Sequence, residues 1–182
     1  MQFSEEQLAE LTLAELDAPR PRVLIGGYGM GFTLRAALGA LSADARITVA
    51  ELVPEIIEWA RGPMADLAAG CLDDPRVHLM IDDVVNVIAD AQGSYDAILL
   101  DVDNGPDGLT AAANDRLYNG KGLQASRAAL RPGGILAIWS AGSDDAFTRR
   151  LRTAGFHVEE MVVRARDNGK GPRHVIWFAQ KG

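Results

Sequence analysis

The stretch Arg22-Val23-Leu24-Ile25-Gly26-Gly27-Tyr28-Gly29-Met30-Gly31-Phe32-Thr33-Leu34-Arg35 limits what this chain can fold into more than any other. It opens as a short aliphatic run, passes through four glycines, and leaves with apolar residues at helical spacing. Strand, glycine turn and helix in that order bring backbone N–H groups and a helix N-terminus against a ligand. About 20 residues beyond the last of these glycines a second apolar run, Ile47 to Ala50, ends in Glu51, a carboxylate placed to accept from a ribose diol. Together they imply a nucleoside-containing ligand. The spacing Gly27, Gly29, Gly31 is G-x-G-x-G, because the third glycine of a dinucleotide fingerprint would fall on Phe32. That favours S-adenosylmethionine (SAM) over NAD. It places Gly27, Tyr28, Gly29, Met30, Gly31, Glu51 and Leu52 at the adenosyl group. The competing reading is a purely structural turn.

The rest of the chain repeats the pattern. Residues 4–17 read as a helix with Ser4 as N-cap and Gln7 completing a capping box. Strands are expected near 22–26, 46–51, 77–81, 95–100 and 135–139, and helices near 30–41, 84–88, 117–130 and 143–154. Pro54 opens another helix, through Trp59. Alternation of this kind predicts a parallel sheet with helices on both faces. The last two apolar runs, 156–163 and 173–179, have a turn signal and no helix between them. The expected fold is α/β: a doubly wound, mostly parallel seven-stranded sheet with a C-terminal antiparallel hairpin. Residues 1–20 form a helical extension on a single domain at 21–182.

In such sheets ligands sit beyond the carboxyl ends of the strands. There the sequence puts Asp82, Asp83 and Val84 after the third strand, and Asp101, Asp103 and Asn104 after the fourth. Asp82 or Asp83, with Asp83 preferred, suits an adenine N6 amine or a helix N-cap. Asp101 is the candidate to hold a cationic amine and take its proton, with Asp103 and Asn104 beside it. Tyr118 fits either a lid over the acceptor or packing at a helix start. Trp59, Trp139 and Trp177 read as core, and Cys71 as an apolar filler. The three histidines lack ligand spacing, so no metal is expected.

Composition narrows the partners. A chain of 182 residues with 48% hydrophobic content and no run of membrane-spanning length predicts a soluble, cytoplasmic protein without a secretory signal. The net charge of −7 disfavours a nucleic-acid surface and suits a small cationic substrate.

Taken in order, Val23 to Arg35, Ile47 to Glu55, Asp74-Pro75-Arg76-Val77 with Asp83, Tyr95-Asp96 through Asp101, Leu117-Tyr118 and Leu130 to Gly134 resemble the spermidine synthase (polyamine aminopropyltransferase) family, which has the class I methyltransferase fold. The resemblance implies that Glu51 binds ribose hydroxyls, Asp83 the adenine, and that Asp101 is the acid opening the family's D-x-x-D segment. It also implies a homodimer. The chain departs from the family at Met30, where an aspartate holds the aminopropyl ammonium of decarboxylated SAM, and at Asn104, where the second aspartate stands. Ahead of the first strand, where the family carries a β-stranded domain, about 20 residues here read as mostly helical. With Met30 in place of the acid, methyl transfer from SAM to a small amine is the first expectation. Aminopropyl transfer from decarboxylated SAM, or non-catalytic nucleoside binding, is the alternative.

Overall fold

In a computed structural model, which describes residues 2–102, 116–166 and 171–182, seven strands form one sheet in the order β3-β2-β1-β4-β5-β7-β6. They are β1 (Arg22–Gly26), β2 (Arg46–Glu51), β3 (Val77–Ile81), β4 (Tyr95–Leu100), β5 (Leu130–Ser140), β6 (Phe156–Arg164) and β7 (Arg173–Lys181). β1 to β5 pair in parallel, and β7 runs antiparallel between β5 and β6. β1 and β4 read as continuous aliphatic runs because helices cover both of their faces. The chain order reverses between β1 and β4, which opens a crevice at their carboxyl ends. Both the sheet and its terminal hairpin match the sequence expectation.

Each face of the sheet carries its own core. On one side α5 (Val84–Ala89), α6 (Gly120–Ala129) and α7 (Asp145–Thr153) bury Val87, Ile88, Leu123, Phe147 and Leu151 against Leu24, Ile98 and Trp177. On the other, α1 (Gln2–Ala14), α2 (Phe32–Ala40) and α3 (Pro54–Arg61) bury Leu8, Ala9, Leu13, Leu34 and Ile57 against Val23, Ile25 and Leu99. A single turn, α4 (Ala65–Ala68), and a 3₁₀ turn at Cys71–Asp73 follow α3, and Cys71 is buried as an apolar filler.

Three local expectations need correction. Ser4 does not cap α1, which already begins at Gln2. Its hydroxyl is buried 2.8 Å from His174 Nδ1, while the Gln7 amide donates to Glu10. The capping box fails because Ser4 has a stronger use as the buried partner of a histidine on β7. Trp59 is 56% exposed rather than core. On α3 the inward positions are Ile57 and Ala60, and a residue two past Ile57 faces the other way. The fifth strand, expected near 135–139, already begins at Leu130 and takes in Pro132-Gly133-Gly134, where the pairing with β4 shifts register between Tyr95 and Ala97. Asn119 and Asp144 cap α6 and α7, and fix where those helices start.

Candidate functional site

Gly27 and Gly31 both hold positive φ, +87° and +78°, a region that side chains disfavour. Space requires them as well. A Cβ on Gly27 would lie 2.6 Å from the Asp101 carbonyl oxygen, and one on Gly31 would strike the Tyr28 hydroxyl and ring edge at 2.7–3.2 Å. Gly27 therefore lets the loop lie against the end of β4, where the Asp101 N–H donates to the Gly26 carbonyl (3.1 Å). Val84 packs beneath Gly26 from the other core.

The loop's amides divide into spent and available. Gly27 N–H donates to the Ala50 carbonyl, Tyr28 N–H to the Glu51 carboxylate (2.8 Å) and Gly31 N–H to the Tyr28 carbonyl. The Tyr28 side chain is buried with its hydroxyl 3.5 Å from Cys71 Sγ. Its burial pushes the phenol pKa up, so the ring remains neutral. The Tyr28 side chain therefore shapes the loop from within, packed inward against Cys71. Gly29 and Met30, the latter 45% exposed, are left at the tip with amides that no described residue accepts.

Glu51 is only 5% exposed, with one oxygen accepting from Tyr28 N–H and the other from Val53 N–H (2.9 Å). Each oxygen keeps a lone pair for a further donor, so the carboxylate is fixed in place and still able to accept a diol. Leu52 (64% exposed) follows it, and Ile81 (51%), the register partner of Glu51, offers a second apolar face. Beyond Ile81, Asp82 accepts from the Asp83 N–H and the Asn86 side chain. Asp83 caps α5 through Val85 N–H and pairs with Arg116 at 2.7 Å. The capping reading of Asp83 is thus realised, and Arg116 is a partner the sequence did not reveal.

Asp101 is largely enclosed at the end of β4. Burial pushes its carboxyl up to about 6, against a Thr33 hydroxyl that donates to Oδ2 (3.0 Å) and holds it down. The Glu5 carbonyl is a second acceptor for the same hydroxyl, at 3.3 Å. Glu5 on α1 is the residue that sequence reasoning missed. Burial, and next the charge of Asp101, push it up to about 7. Two carboxyls from the first helix and the fourth strand therefore share one corner of the crevice, each poised near neutrality.

Tyr118 is 3% exposed and stacks edge-on against Phe147, with ring centroids 5.6 Å apart. Its ring packs in the core just ahead of α6. Asp103, Asn104 and the Ala-rich stretch 111–115 lie outside the described residues. No group of three or more His, Cys, Asp or Glu that could hold a metal occurs among the described residues, and none of their helices is long and apolar enough to cross a membrane.

A family model described as "Spermine/spermidine synthase domain" matches residues 1–144. The chain belongs to the spermine/spermidine synthase family. A polyamine aminopropyltransferase of Mycobacterium tuberculosis is 35% identical over 146 residues, covering 75% of this chain and 27% of the relative. A spermidine synthase of Coffea arabica is 32% identical over 177 residues, covering 95% of this chain and 50% of the relative. The chain thus spans between about a quarter and a half of these relatives' length. The spermidine synthase of Thermotoga maritima superposes on all of this chain with a TM-score of 0.76 at 22% identity, covering 59% of that structure, and shares its fold. Aminopropyl transfer is the activity for which the first of these relatives is named.

Proposed function

We propose that this chain carries out aminopropyl transfer from decarboxylated SAM to a small polyamine-class amine. The observation that carries the proposal is the enclosed Asp101, raised to about 6 beside the glycine loop, in a chain of this family. Decarboxylated SAM supplies a propylamine chain on a sulfonium, whose sulfur leaves as a neutral thioether. Glu51 accepts from the ribose hydroxyls, with Leu52 and Ile81 against the adenine and the amides of Gly29 and Met30 facing the ligand. Val84 contributes from beneath, by supporting Gly26. Asp101 holds the acceptor's ammonium and takes one proton from it. The freed nitrogen pair then attacks the propyl carbon as the carbon–sulfur bond breaks. A carboxyl near 6 is ionised at pH 7.5 yet basic enough to share a proton with an amine. Asp103 and Asn104, which follow in sequence, remain candidates to bind the acceptor.

The test supplies purified chain with putrescine and either sulfonium donor. Methylthioadenosine from decarboxylated SAM supports the proposal. S-adenosylhomocysteine from SAM, with no methylthioadenosine, supports methyl transfer instead. Met30 is what favours that second reading, because no acid on the loop selects the decarboxylated donor.

A further inference from the structure

The end of the sheet opposite the crevice is basic in a chain whose net charge is −7. A groove of about 930 Å³ runs across the amino ends of β1 to β4 and the start of β5. Five arginines line it, Arg20, Arg22, Arg46, Arg76 and Arg131, against one carboxylate, Asp44. The volume suits a nucleotide-sized ligand. Strands of five or six residues put the groove roughly 17–20 Å from the crevice, so it is a separate place on the molecule.

The five arginines differ in how they are held. Arg76 donates from Nε and Nη2 to both oxygens of Asp74 (2.9 Å each) and from Nη1 to the Leu41 carbonyl (2.8 Å). That pairing holds Asp74 down at about 2 and pushes Arg76 up. Arg131 donates to both oxygens of Asp96, which also accepts from the Arg22 backbone N–H (2.8 Å). These two arginines frame the groove. The guanidinium groups of Arg20, Arg22 and Arg46 make no hydrogen bond or ion pair with any described residue. Arg22 and Arg46 are direct register partners on neighbouring strands, so their side chains leave the same face of the sheet. Like charges placed side by side in this way repel, and nothing in the fold requires that. An anion between them removes the repulsion. The planar guanidinium matches phosphate oxygens two at a time, which an ammonium does not.

We propose that this groove binds a phosphate-bearing small molecule of two or more negative charges, gripped chiefly by Arg22 and Arg46 with Arg20 beside them. The site is independent of the transfer chemistry proposed for the opposite end. Pyrophosphate is the probe, titrated by calorimetry at about 0.15 M ionic strength, held constant with sodium chloride so that general screening is equal throughout. The full chain binds pyrophosphate more tightly than citrate. The double variant Arg22→Gln/Arg46→Gln binds it at least about tenfold more weakly, the loss of roughly one charge-assisted contact pair. Both substituted residues are exposed, so the variant should keep the parent's circular dichroism and melt at or slightly above the parent in sodium chloride, the repulsion between the two arginines being gone. Equal pyrophosphate affinity in parent and variant overturns the proposal, and so does affinity no greater than for citrate. A third arm presents phosphatidylglycerol vesicles. Cosedimentation with them in the absence of pyrophosphate binding would assign the groove to a lipid surface and overturn a soluble ligand.

Discussion

Replacing Glu5 by Gln removes one of the two carboxyls at the corner of the crevice and keeps the side chain's size. In the folded chain Glu5 is raised from 4.5 to about 7 by burial and by the charge of Asp101. A carboxyl raised on folding binds its proton more tightly in the folded than in the unfolded state. Stability is therefore fully present below the unfolded value of 4.5, and is lost as pH rises through about 7. A shift of this size corresponds to about 3 kcal/mol at full weight. Glu5 is partly open to water, and screening reduces the figure to about 1–2 kcal/mol. For a chain of this size that is roughly 2–8 °C in melting temperature. Thermal melts of parent and Glu5→Gln at pH 5 and pH 8 measure it. The variant should melt with the parent at pH 5 or slightly below it, and above the parent at pH 8. A difference between the two proteins that does not change with pH refutes the electrostatic reasoning. The Asp101 step near 6 should survive in the variant, since burial rather than Glu5 sets it.

Three further outcomes follow from the packing and the loop. Gly27→Ala puts a methyl against the Asp101 carbonyl in a φ that alanine resists, and should lower stability by about 1–3 kcal/mol and weaken methylthioadenosine binding in calorimetry. Leu8→Ala empties a fully buried position between α1 and the sheet. Urea melts should show a loss of about 2–5 kcal/mol, as for an internal core residue rather than a dispensable extension. Met30→Asp places a carboxylate at the exposed loop tip. It should improve the affinity for decarboxylated SAM over SAM by roughly twofold to fivefold, the worth of one solvated ion pair.

The fold was readable because its signals are local. Aliphatic runs, a glycine turn and helical spacing recur along the chain, and two late strands without a helix between them require a hairpin. The strand-end acids were readable for the same reason: Glu51 and Asp101 each follow directly on a buried run. What escaped depends on contacts between distant segments. Glu5 sits in an unremarkable acidic helix turn, and only the packing of α1 against the sheet brings it to Asp101. Asp83 carried two good roles in sequence, and Arg116, far along the chain, engages one of its oxygens. Ser4 looked like a cap because its neighbours fit the pattern, whereas its partner His174 lies on the last strand. Tyr28 stood inside the glycine motif, yet the small residues around it let its ring turn inward to Cys71.

The most direct test of the account is product analysis with decarboxylated SAM and putrescine, for the parent and for Asp101→Asn. The account predicts methylthioadenosine and spermidine in equal amounts from the parent. From the variant it predicts a rate lower by about 10²–10⁴-fold, the usual worth of a proton acceptor, with methylthioadenosine binding retained. An Asp101→Asn variant that turns over as fast as the parent, or a parent that forms only S-adenosylhomocysteine from SAM, would contradict it.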